Sequence, residues 1–395
     1  MAPAEPLRIA MVLESTYPVA GGGGAESQLA TLSRYLRRRG HQVSIVVPMT
    51  PAGAREEHDR VDGIPVWRIP YPRVRVVGGI VMLARLAWHL FANRRRYDVF
   101  HVHIAHHMAA VACVVGRLAG KPVLVKLTGW LESELGILSR RRSPVLWLLR
   151  RCIRLATAVQ ATSRELEALL VKHGFPPARI HRIPNAVDTH RFRPQAGART
   201  GDGAAFTAIF VGRLVPEKNL PMLLEAWAVA LAGRDDARLM VVGQGPLAEE
   251  LAGRARSLGI ARQVAFLGAQ PREEVIRLLG RADVGVLVST HEGLSNSLLE
   301  YMAAGLPVIG TRISGTEDWV REDDTGWLVE PGDTAALAQV LARAAGPARP
   351  HLADMGRRAR AVMEREASIP AVADRILRAY GAGPGAGGQR LRRAA

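Results

Sequence analysis

Two carboxylates, Glu292 and Glu300, flank a short turn that reads Gly293, Leu294, Ser295, Asn296. The turn follows a buried apolar run and precedes a helical pattern, so it lies between the carboxyl end of a strand and the start of a helix. Backbone N–H groups and the helix dipole at such a place favour an anion such as phosphate. The carboxylates could accept hydrogen bonds from the hydroxyls of a sugar or a ribose. Two glutamates at this spacing could equally be ordinary surface residues, so the pattern needs support from the rest of the chain.

Two cations, Arg213 and Lys218, follow another strand-like run in the second half of the chain. A planar guanidinium and a point-charge ammonium across one turn suit a diphosphate, above all one that gains negative charge as a leaving group. Basic residues in loops are usually just solvated. Their position at the carboxyl end of a strand favours the binding interpretation.

Two glycine-rich turns also follow predicted strands. The run 21–24 opens the first helix, where Gly23 and Gly24 would let the backbone approach a phosphate; the alternative is a flexible loop. The second turn, 243–246, matches a dinucleotide-binding pattern together with Ala248. The next strand ends without an acidic residue for a ribose, which argues against a dehydrogenase and leaves a tight structural turn as the alternative.

The histidines cluster at His101, His103, His106 and His107. We expect no metal there, because no carboxylate or cysteine is near in sequence. The chain also has no Asp-x-Asp pair that could anchor a metal-bridged diphosphate. The expectation is therefore chemistry without a metal or other cofactor.

The chain has 395 residues and a net charge of +17, and the charge is unevenly distributed. Residues 1–195 contain 29 Lys and Arg against 13 Asp and Glu, a net +16, whereas residues 196–395 contain 24 against 23. A basic first half suggests an anionic partner, although an Arg-rich composition on solvated faces is the alternative. Nucleic acid is not expected, since no helix-turn-helix, zinc finger or RNA-binding aromatic motif is present and aromatics make up only 5%.

Two cysteines exclude a disulfide framework and favour a reducing compartment, and the weak apolar N-terminus does not resemble a signal peptide. The most apolar long stretch, 74–91, contains Arg75 and Arg85, which argues against a spanning helix. We expect a cytoplasmic protein.

Strand and helix patterns alternate twice along the chain, which predicts two parallel sheets covered on both faces. Predicted strands in the first half are 7–13, 43–47, 66–69, 98–104, 122–127 and 158–161; those in the second half are 208–211, 238–242, 264–267, 284–288 and 307–310. The interpretation is an N-terminal domain at 1–195, a second domain at 196–367, a returning helix at 368–380 and a disordered basic tail at 381–395. A ligand between the domains would meet the carboxyl ends of both sheets.

Taken together, the motifs resemble those of the retaining glycosyltransferases of family 4, which have the GT-B fold: two Rossmann-like doubly wound domains facing each other across a cleft. The matching segments are 23–26, 98–103, 183–188, 211–218, 243–246, 292–308 and 326–332. Each is weak alone, but their order and spacing are specific.

The resemblance implies roles for individual residues. Arg213 and Lys218 would bind the donor diphosphate and Glu300 the donor ribose, while Glu292 would meet hydroxyls of the transferred sugar. The backbone of 293–296 would line the sugar pocket, and Gly23 and Gly24 would approach the phosphate from the other domain. A nucleotide sugar would then be the donor, transferred with retained anomeric configuration.

The first domain would bind the acceptor, with His103 and Thr128 as candidates. The family often has a histidine where this chain has Thr128, whose hydroxyl could still bind a sugar. Arginine clusters at 37–39, 94–96, 140–142 and 150–151 adjoin apolar stretches, which favours an anionic membrane surface and a lipid-linked or glycan acceptor in cell-surface polysaccharide or glycolipid synthesis. The alternatives are core helices for the apolar stretches and, for the protein, an epimerase, a phosphorylase or a catalytically silent nucleotide-sugar-binding scaffold.

Overall fold

The computed structural model describes residues 5–18, 23–51, 56–129, 136–139, 143–195 and 205–381. The chain forms two compact units, one of residues 1–186 with 369–395 and one of residues 187–368. The first unit therefore ends at Ala186, ahead of the expected boundary at residue 195. Four features of the sequence lie wholly or largely outside the described residues: glycines 21 and 22, the Gly-, Ala- and Arg-rich stretch 195–205 that the sequence predicts as a linker, the arginines 140–142 and the tail after Gly381.

Unit 1 is built on an eight-stranded sheet. Its strands are β1 (Arg8–Val12), β2 (Gln42–Pro48), β3 (His58–Val61), β4 (Ile64–Ile69), β5 (Val99–Val102), β6 (Val123–Lys126), β7 (Ala158–Ala161) and β8 (Ile180–Arg182). They lie in the order β3-β4-β2-β1-β5-β6-β7-β8. Every pairing is parallel except that of β3 with β4.

Unit 2 is built on a fully parallel six-stranded sheet. Its strands are β9 (Phe206–Val211), β10 (Ala237–Val242), β11 (Val264–Gly268), β12 (Val284–Leu287), β13 (Val308–Thr311) and β14 (Gly326–Val329), in the order β11-β10-β9-β12-β13-β14.

Helices join most of these strands. In unit 1 they are α1 (Gly24–Arg38), α2 (Val77–Ala92), α3 (His107–Ala119), α4 (Pro144–Ile153) and α5 (Arg164–Lys172). In unit 2 they are α6 (Leu220–Leu231), α7 (Ala248–Ser257), α8 (Arg272–Gly280), α9 (Asn296–Ala303), α10 (Thr334–Ala345) and α11 (Leu352–Glu366). The last helix, α12 (Ile369–Tyr380), belongs to unit 1.

Both sheets are covered on both faces, as the apolar strand runs predicted. In β1, Ala10 and Val12 belong to a core cluster with residues of α2 and α3, whereas Ile9 and Met11 belong to a second cluster with residues of α1 and α12. This alternation follows from the two-residue repeat of a strand. Two separate cores on opposite faces make each unit a doubly wound α/β structure, and the fold class expected from the sequence is confirmed.

The helix α12 is an integral part of unit 1. Its buried residues, among them Ile376 and Tyr380, join the same cluster as Leu29 of α1. The ring nitrogen Nδ1 of His101, in β5, lies 2.8 Å from the Tyr380 hydroxyl, and Arg39 forms an ion pair of 2.9 Å with Asp374. Unit 1 is therefore completed by the last helix of the chain.

Each sheet has one place where successive connections run in opposite directions. In unit 1 this is between β1 and β5, and in unit 2 between β9 and β12. The loops that follow these strands diverge to opposite sides of the sheet, which opens a crevice at the carboxyl ends of the strands. Ligands of open α/β sheets bind in such crevices.

In unit 2, side chains of α9 bind the end of β9 beside the crevice. β12 pairs with β9 only at Val284 and Gly285. Beyond these pairs, the Val211 N–H donates to the Tyr301 hydroxyl over 2.6 Å, and the Ser297 hydroxyl donates to the Val211 carbonyl over 2.7 Å. Side chains of α9 thus replace the neighbouring strand as partners of the β9 backbone.

The sequence does not predict three of the short strands, β3, β8 and β14, or the helix α11. The sequences of β3 and β8 are mostly polar, and both strands lie at edges of the unit 1 sheet, where an apolar run is not needed. The sequence predicts β14 only as part of the motif 326–332 and not as a strand. The helix α11 is rich in arginine, with a narrow buried stripe that includes Met355, Ala359 and Met363.

We predict that Gly285→Ala destabilises unit 2. An added Cβ would lie 2.3 Å from a ring carbon of the fully buried Tyr301. Overpacking of this kind costs about 1–3 kcal/mol of the free energy of unfolding, measurable by urea denaturation. The matched control is Gly253→Ala in α7, where the new Cβ would meet only the end of Arg256 at 3.8 Å. That change should stabilise by up to about 1 kcal/mol, since Ala favours helix over Gly. Equal effects of the two substitutions would contradict the role given to Tyr301.

Candidate functional site

The loop after β9 carries Arg213 and Lys218. Its backbone rests on the glycine turn at 243–246. An added Cβ on Gly243 would lie 1.8 Å from the carbonyl oxygen of Gly212, and one on Gly245 would lie 2.2 Å from that of Leu214. The glycines are needed for this close backbone contact. The turn that resembled a dinucleotide motif therefore positions the cationic loop.

The loop after β12 meets the β9 loop directly. The Lys218 ammonium lies 2.5 Å from Oε1 of Glu292, and the Ser289 hydroxyl donates to Oε2 of the same carboxylate over 3.0 Å. A backbone hydrogen bond of 2.9 Å from the Thr290 N–H to the Glu217 carbonyl joins the two loops. The structure thus brings together two of the predicted residues that are 74 positions apart.

Arg213 and Lys218 differ in exposure. The side chain of Arg213 is 75% exposed and contacts Glu217 at 3.4 Å, whereas that of Lys218 is 13% exposed. An exposed guanidinium can reorient towards an anion at little cost, while the ammonium is already held in place by Glu292. The two cations lie in the same loop. The ion pair with Glu292 fixes Lys218, whereas the exposed Arg213 can change its side-chain conformation.

The turn 293–296 leads into α9. Leu294 and Ser295 are buried, and α9 begins at Asn296. Behind the turn lies Gly315, which has a φ of +81° and whose added Cβ would be 2.0 Å from the carbonyl oxygen of Gly293. The start of α9 is therefore backed by close-packed backbone at the crevice of unit 2. This is where a helix favours an anion.

Glu300 lies one turn into α9. Its side chain is 15% exposed and forms an ion pair of 3.0 Å with Arg272, at the start of α8. Burial raises the pKa of Glu300 from its ordinary 4.5 to about 7, although Arg272 opposes the shift. Near neutral pH this carboxyl group is available in both its protonated and its ionised form, so it can donate as well as accept a hydrogen bond.

The predicted residues of unit 1 lie at three places, the start of α1 and the ends of β5 and β6. Gly23 precedes α1 and Gly24 is its first residue. An added Cβ on Gly23 would meet the Glu26 side chain, whose carboxylate accepts a hydrogen bond from Ser15. Thr128 follows β6 and is half-buried.

The four clustered histidines separate in the structure. His103 is buried, its ring stacks on that of His101 at 4.3 Å, and its Nε2 lies 3.2 Å from the Met11 sulfur. Burial, with the nearby His101 and Lys126, lowers the pKa of His103 well below its ordinary value. His103 is buried beside a small cavity that His101 and Lys126 also line, so its expected place on the acceptor side stays a prediction. His106 and His107 lie at the start of α3 and are partly exposed.

Several residues of the site had not been found in the sequence. Arg272 pairs with Glu300, the Ser289 hydroxyl donates to Glu292, and Tyr301 and Ser297 hydrogen-bond the backbone of Val211. None belongs to a spacing pattern of its own. Ser297 and Tyr301 lie on α9 directly after the predicted residues Asn296 and Glu300. The helical repeat is therefore the sequence signal that could identify them.

Two family models match the chain. "Glycosyltransferase Family 4" matches residues 22–191, and "Glycosyl transferases group 1" matches residues 198–362. The two matches cover the first and second halves of the chain and include the motifs on which the resemblance was based.

Similar proteins agree with the family models. The chain is 31% identical over 357 residues to the 2-deoxystreptamine N-acetyl-D-glucosaminyltransferase of Streptomyces fradiae, with 83% of this chain and 84% of that protein covered. It is 29% identical over 342 residues to a GDP-mannose-dependent alpha-mannosyltransferase of Mycobacterium tuberculosis, with 83% and 85% covered. In structure it is similar to Anabaena HepE, crystallised in complex with UDP, with a TM-score of 0.76, 19% identity, and 94% and 99% of the two chains covered. The chain therefore belongs to the family 4, group 1 glycosyltransferases, and it is a hexosyltransferase-type enzyme of the GT-B fold.

Proposed function

We propose that this enzyme transfers a hexose from a nucleotide diphosphate sugar, with retained anomeric configuration, and that unit 2 binds the donor. The observation that carries the proposal is the Lys218–Glu292 ion pair at the crevice of the unit 2 sheet, next to the start of α9. The pair supplies a cation for a diphosphate and a carboxylate for sugar hydroxyls. One similar protein is GDP-mannose-dependent and another was crystallised with UDP, so the proposal covers both bases.

The reaction breaks the bond between the anomeric carbon and the diphosphate oxygen, and it forms a bond from that carbon to an acceptor oxygen. Negative charge develops on the departing diphosphate. Lys218 and Arg213 oppose this charge, and a preorganised cation stabilises a transition state more than one that must first be ordered. The departing phosphate oxygen takes the acceptor's proton on the same face, which yields retention without a second catalytic carboxylate.

Glu300 is proposed to bind the donor ribose. With a pKa of about 7, its carboxyl group can hydrogen-bond a ribose diol as donor or acceptor. Arg272 fixes its orientation through the 3.0 Å ion pair. The backbone of 293–296 is proposed to line the sugar pocket, with the phosphates near the start of α9. Gly23 and Gly24, at the start of α1, are proposed to approach the phosphates from unit 1.

The donor reaction is proposed to need no metal. Arg213 and Lys218 together would bring two positive charges to the diphosphate, the same charge that a divalent metal ion would provide. Within the described ranges, the one group of three metal-ligand side chains lies in unit 1 and not in the donor loops of unit 2.

Unit 1 is proposed to take a lipid-linked or glycan acceptor at an anionic membrane surface, on the cytoplasmic side, in the synthesis of a cell-surface polysaccharide or glycolipid. Large apolar side chains are exposed along one side of α2, including Ile80 and Trp88, and on α4, including Trp147. The opposite side of α2, with Met82, Leu86 and Leu90, packs into the core. Thr128 remains a candidate for contact with acceptor hydroxyls.

The exposed apolar side chains are concentrated in one unit. In the described part of the chain, twelve large hydrophobic residues of unit 1 are exposed and only Val229 in unit 2. One residue separates the end of α2 from Arg94–Arg96, and Arg150 and Arg151 lie in the last turn of α4. Apolar side chains beside arginines are typical of peripheral binding to anionic lipid. Among the helices of the described residues, none is both long and apolar enough to cross a bilayer.

We predict that Lys218→Ala lowers kcat by about 10²–10³, since a charge aimed at the leaving group is lost. Turnover is measured with a panel of nucleotide sugars, and product analysis separates transfer from epimerisation and phosphorolysis. The control is Lys172→Ala, an exposed lysine at the end of α5. Undiminished turnover in Lys218→Ala would exclude a role in stabilising the leaving group.

We predict a pH effect from Glu300. Between about pH 4.5 and 7, the folded state keeps a proton on Glu300 that the unfolded state has lost, so the free energy of unfolding falls as pH rises. Glu300→Gln cannot titrate, and its stability relative to wild type should rise across this window by at most about 1.4 kcal/mol per pH unit. Urea denaturation at several pH values measures the difference in the free energy of unfolding. The control is Glu249→Gln, at an exposed position of α7. A constant difference between Glu300→Gln and wild type would contradict the raised pKa.

We predict that the protein co-sediments with anionic vesicles at low salt and is released by high salt, since screening weakens surface charge interactions. Trp88→Ser and Trp147→Ser, which are 73% and 60% exposed, should each weaken binding several-fold. Val229→Ser in unit 2, 76% exposed in the wild type, is the matched control and should bind as wild type does. No binding at low salt, or equal loss in all three variants, would count against a membrane-facing surface on unit 1.

A further inference from the structure

The crevice of unit 1, between β1 and β5, holds side chains that the transfer mechanism does not use. Glu14 lies just after β1, and His106 and His107 lie after β5, at the start of α3. They come from the two loops that diverge at this point of the sheet, where ligands of open α/β sheets bind. Glu14 is 92 positions from His106, so the carboxylate that the sequence seemed to lack near the histidines is supplied by the fold.

Three ligand-type atoms of this group face one another. Nδ1 of His106 lies 2.9 Å from Oε1 of Glu14, and Nδ1 of His107 lies 3.6 Å from the same oxygen. The two Nδ1 atoms are 2.9 Å apart. Bonds of about 2.0–2.2 Å from Zn²⁺ to nitrogen and oxygen ligands place the ligand atoms about 3–3.5 Å apart. The three atoms therefore have nearly the separations that a shared divalent ion requires.

The carboxylate is also oriented for this role. Oε2 of Glu14 accepts a hydrogen bond of 2.7 Å from the Met108 N–H, which leaves Oε1 directed at the imidazoles. A metal-binding carboxylate is commonly held by such an outer hydrogen bond. The Glu14 side chain is 16% exposed and those of His106 and His107 are 40% and 39% exposed, so solvent or a ligand hydroxyl can reach the group.

We propose that Glu14, His106 and His107 form a binding site for a divalent transition-metal ion of the Zn²⁺ type, with at least one coordination position open. Two imidazole nitrogens and one carboxylate oxygen are a donor set suited to such ions and not to Ca²⁺ or Mg²⁺, which prefer oxygen. A metal ion at this point would bind all three atoms. The site is made only of unit 1 residues, so the proposal does not depend on the donor chemistry proposed above.

The test is metal binding to the full-length enzyme after chelator treatment and dialysis. Titration with Co²⁺ should give visible d–d absorption that saturates at one equivalent, and Zn²⁺ should displace it. His107→Ala and His106→Gln should each weaken Co²⁺ binding by at least about tenfold. His351→Ala, at an exposed histidine of unit 2, is the control and should bind as wild type does.

Glu14→Gln serves as a further variant, because the amide can still accept the Met108 hydrogen bond while it loses the negative charge. It should weaken Co²⁺ binding with an unchanged circular dichroism spectrum. Binding that is absent in wild type, or that is equally strong in all of the variants, would overturn the proposal. Variants that change the KM for the acceptor while no metal binds to wild type would also overturn it and would make the group a direct acceptor contact.

Discussion

The crevice of unit 2 lies where the pairing of β9 with β12 ends and α9 becomes the partner of the β9 backbone. Tyr301 and Ser297 satisfy the N–H and carbonyl of Val211 that a neighbouring strand would otherwise bind. A buried backbone group without a partner costs free energy, so α9 stabilises the end of β9 by supplying both partners. Gly285 provides the space in which the Tyr301 ring lies.

Given that opening, the two loops can be joined by charge instead of by strand pairing. Lys218 and Glu292 have partly buried side chains, and removing one partner would leave the other charged and poorly solvated. The ion pair is therefore better understood as a way of fixing positions than as a source of stability. A bound diphosphate would give Lys218 a second anion, and sugar hydroxyls would give Glu292 new donors, so both charges remain compensated when the site is filled.

Much of the architecture could be predicted from the sequence, and the reasons are visible in particular elements. β5, β6, β7, β12 and β13 are buried along their whole length, so they appear as mostly apolar runs with at most one polar residue each. The donor residues could be proposed because Arg213, Lys218, Glu292 and Glu300 follow strands or begin helices in recognisable motifs. Contacts across the sheet could not be predicted. The Glu14–His106 contact, the Arg272–Glu300 pair and the burial of His103 each depend on which strands become neighbours, and spacing along the chain does not contain that information.

The helix α12 has a consequence for how the protein is made. Residues 369–380 pack with α1 in the core of unit 1, although unit 2 lies between them in the chain. On the ribosome, unit 2 is fully synthesised before unit 1 has its last helix, so the order in which the units can finish folding is the reverse of their order of appearance. A nascent unit 1 exposes the apolar surface that Ile376 and Tyr380 later cover, and a premature stop after unit 2 would leave that surface open to aggregation or chaperone capture.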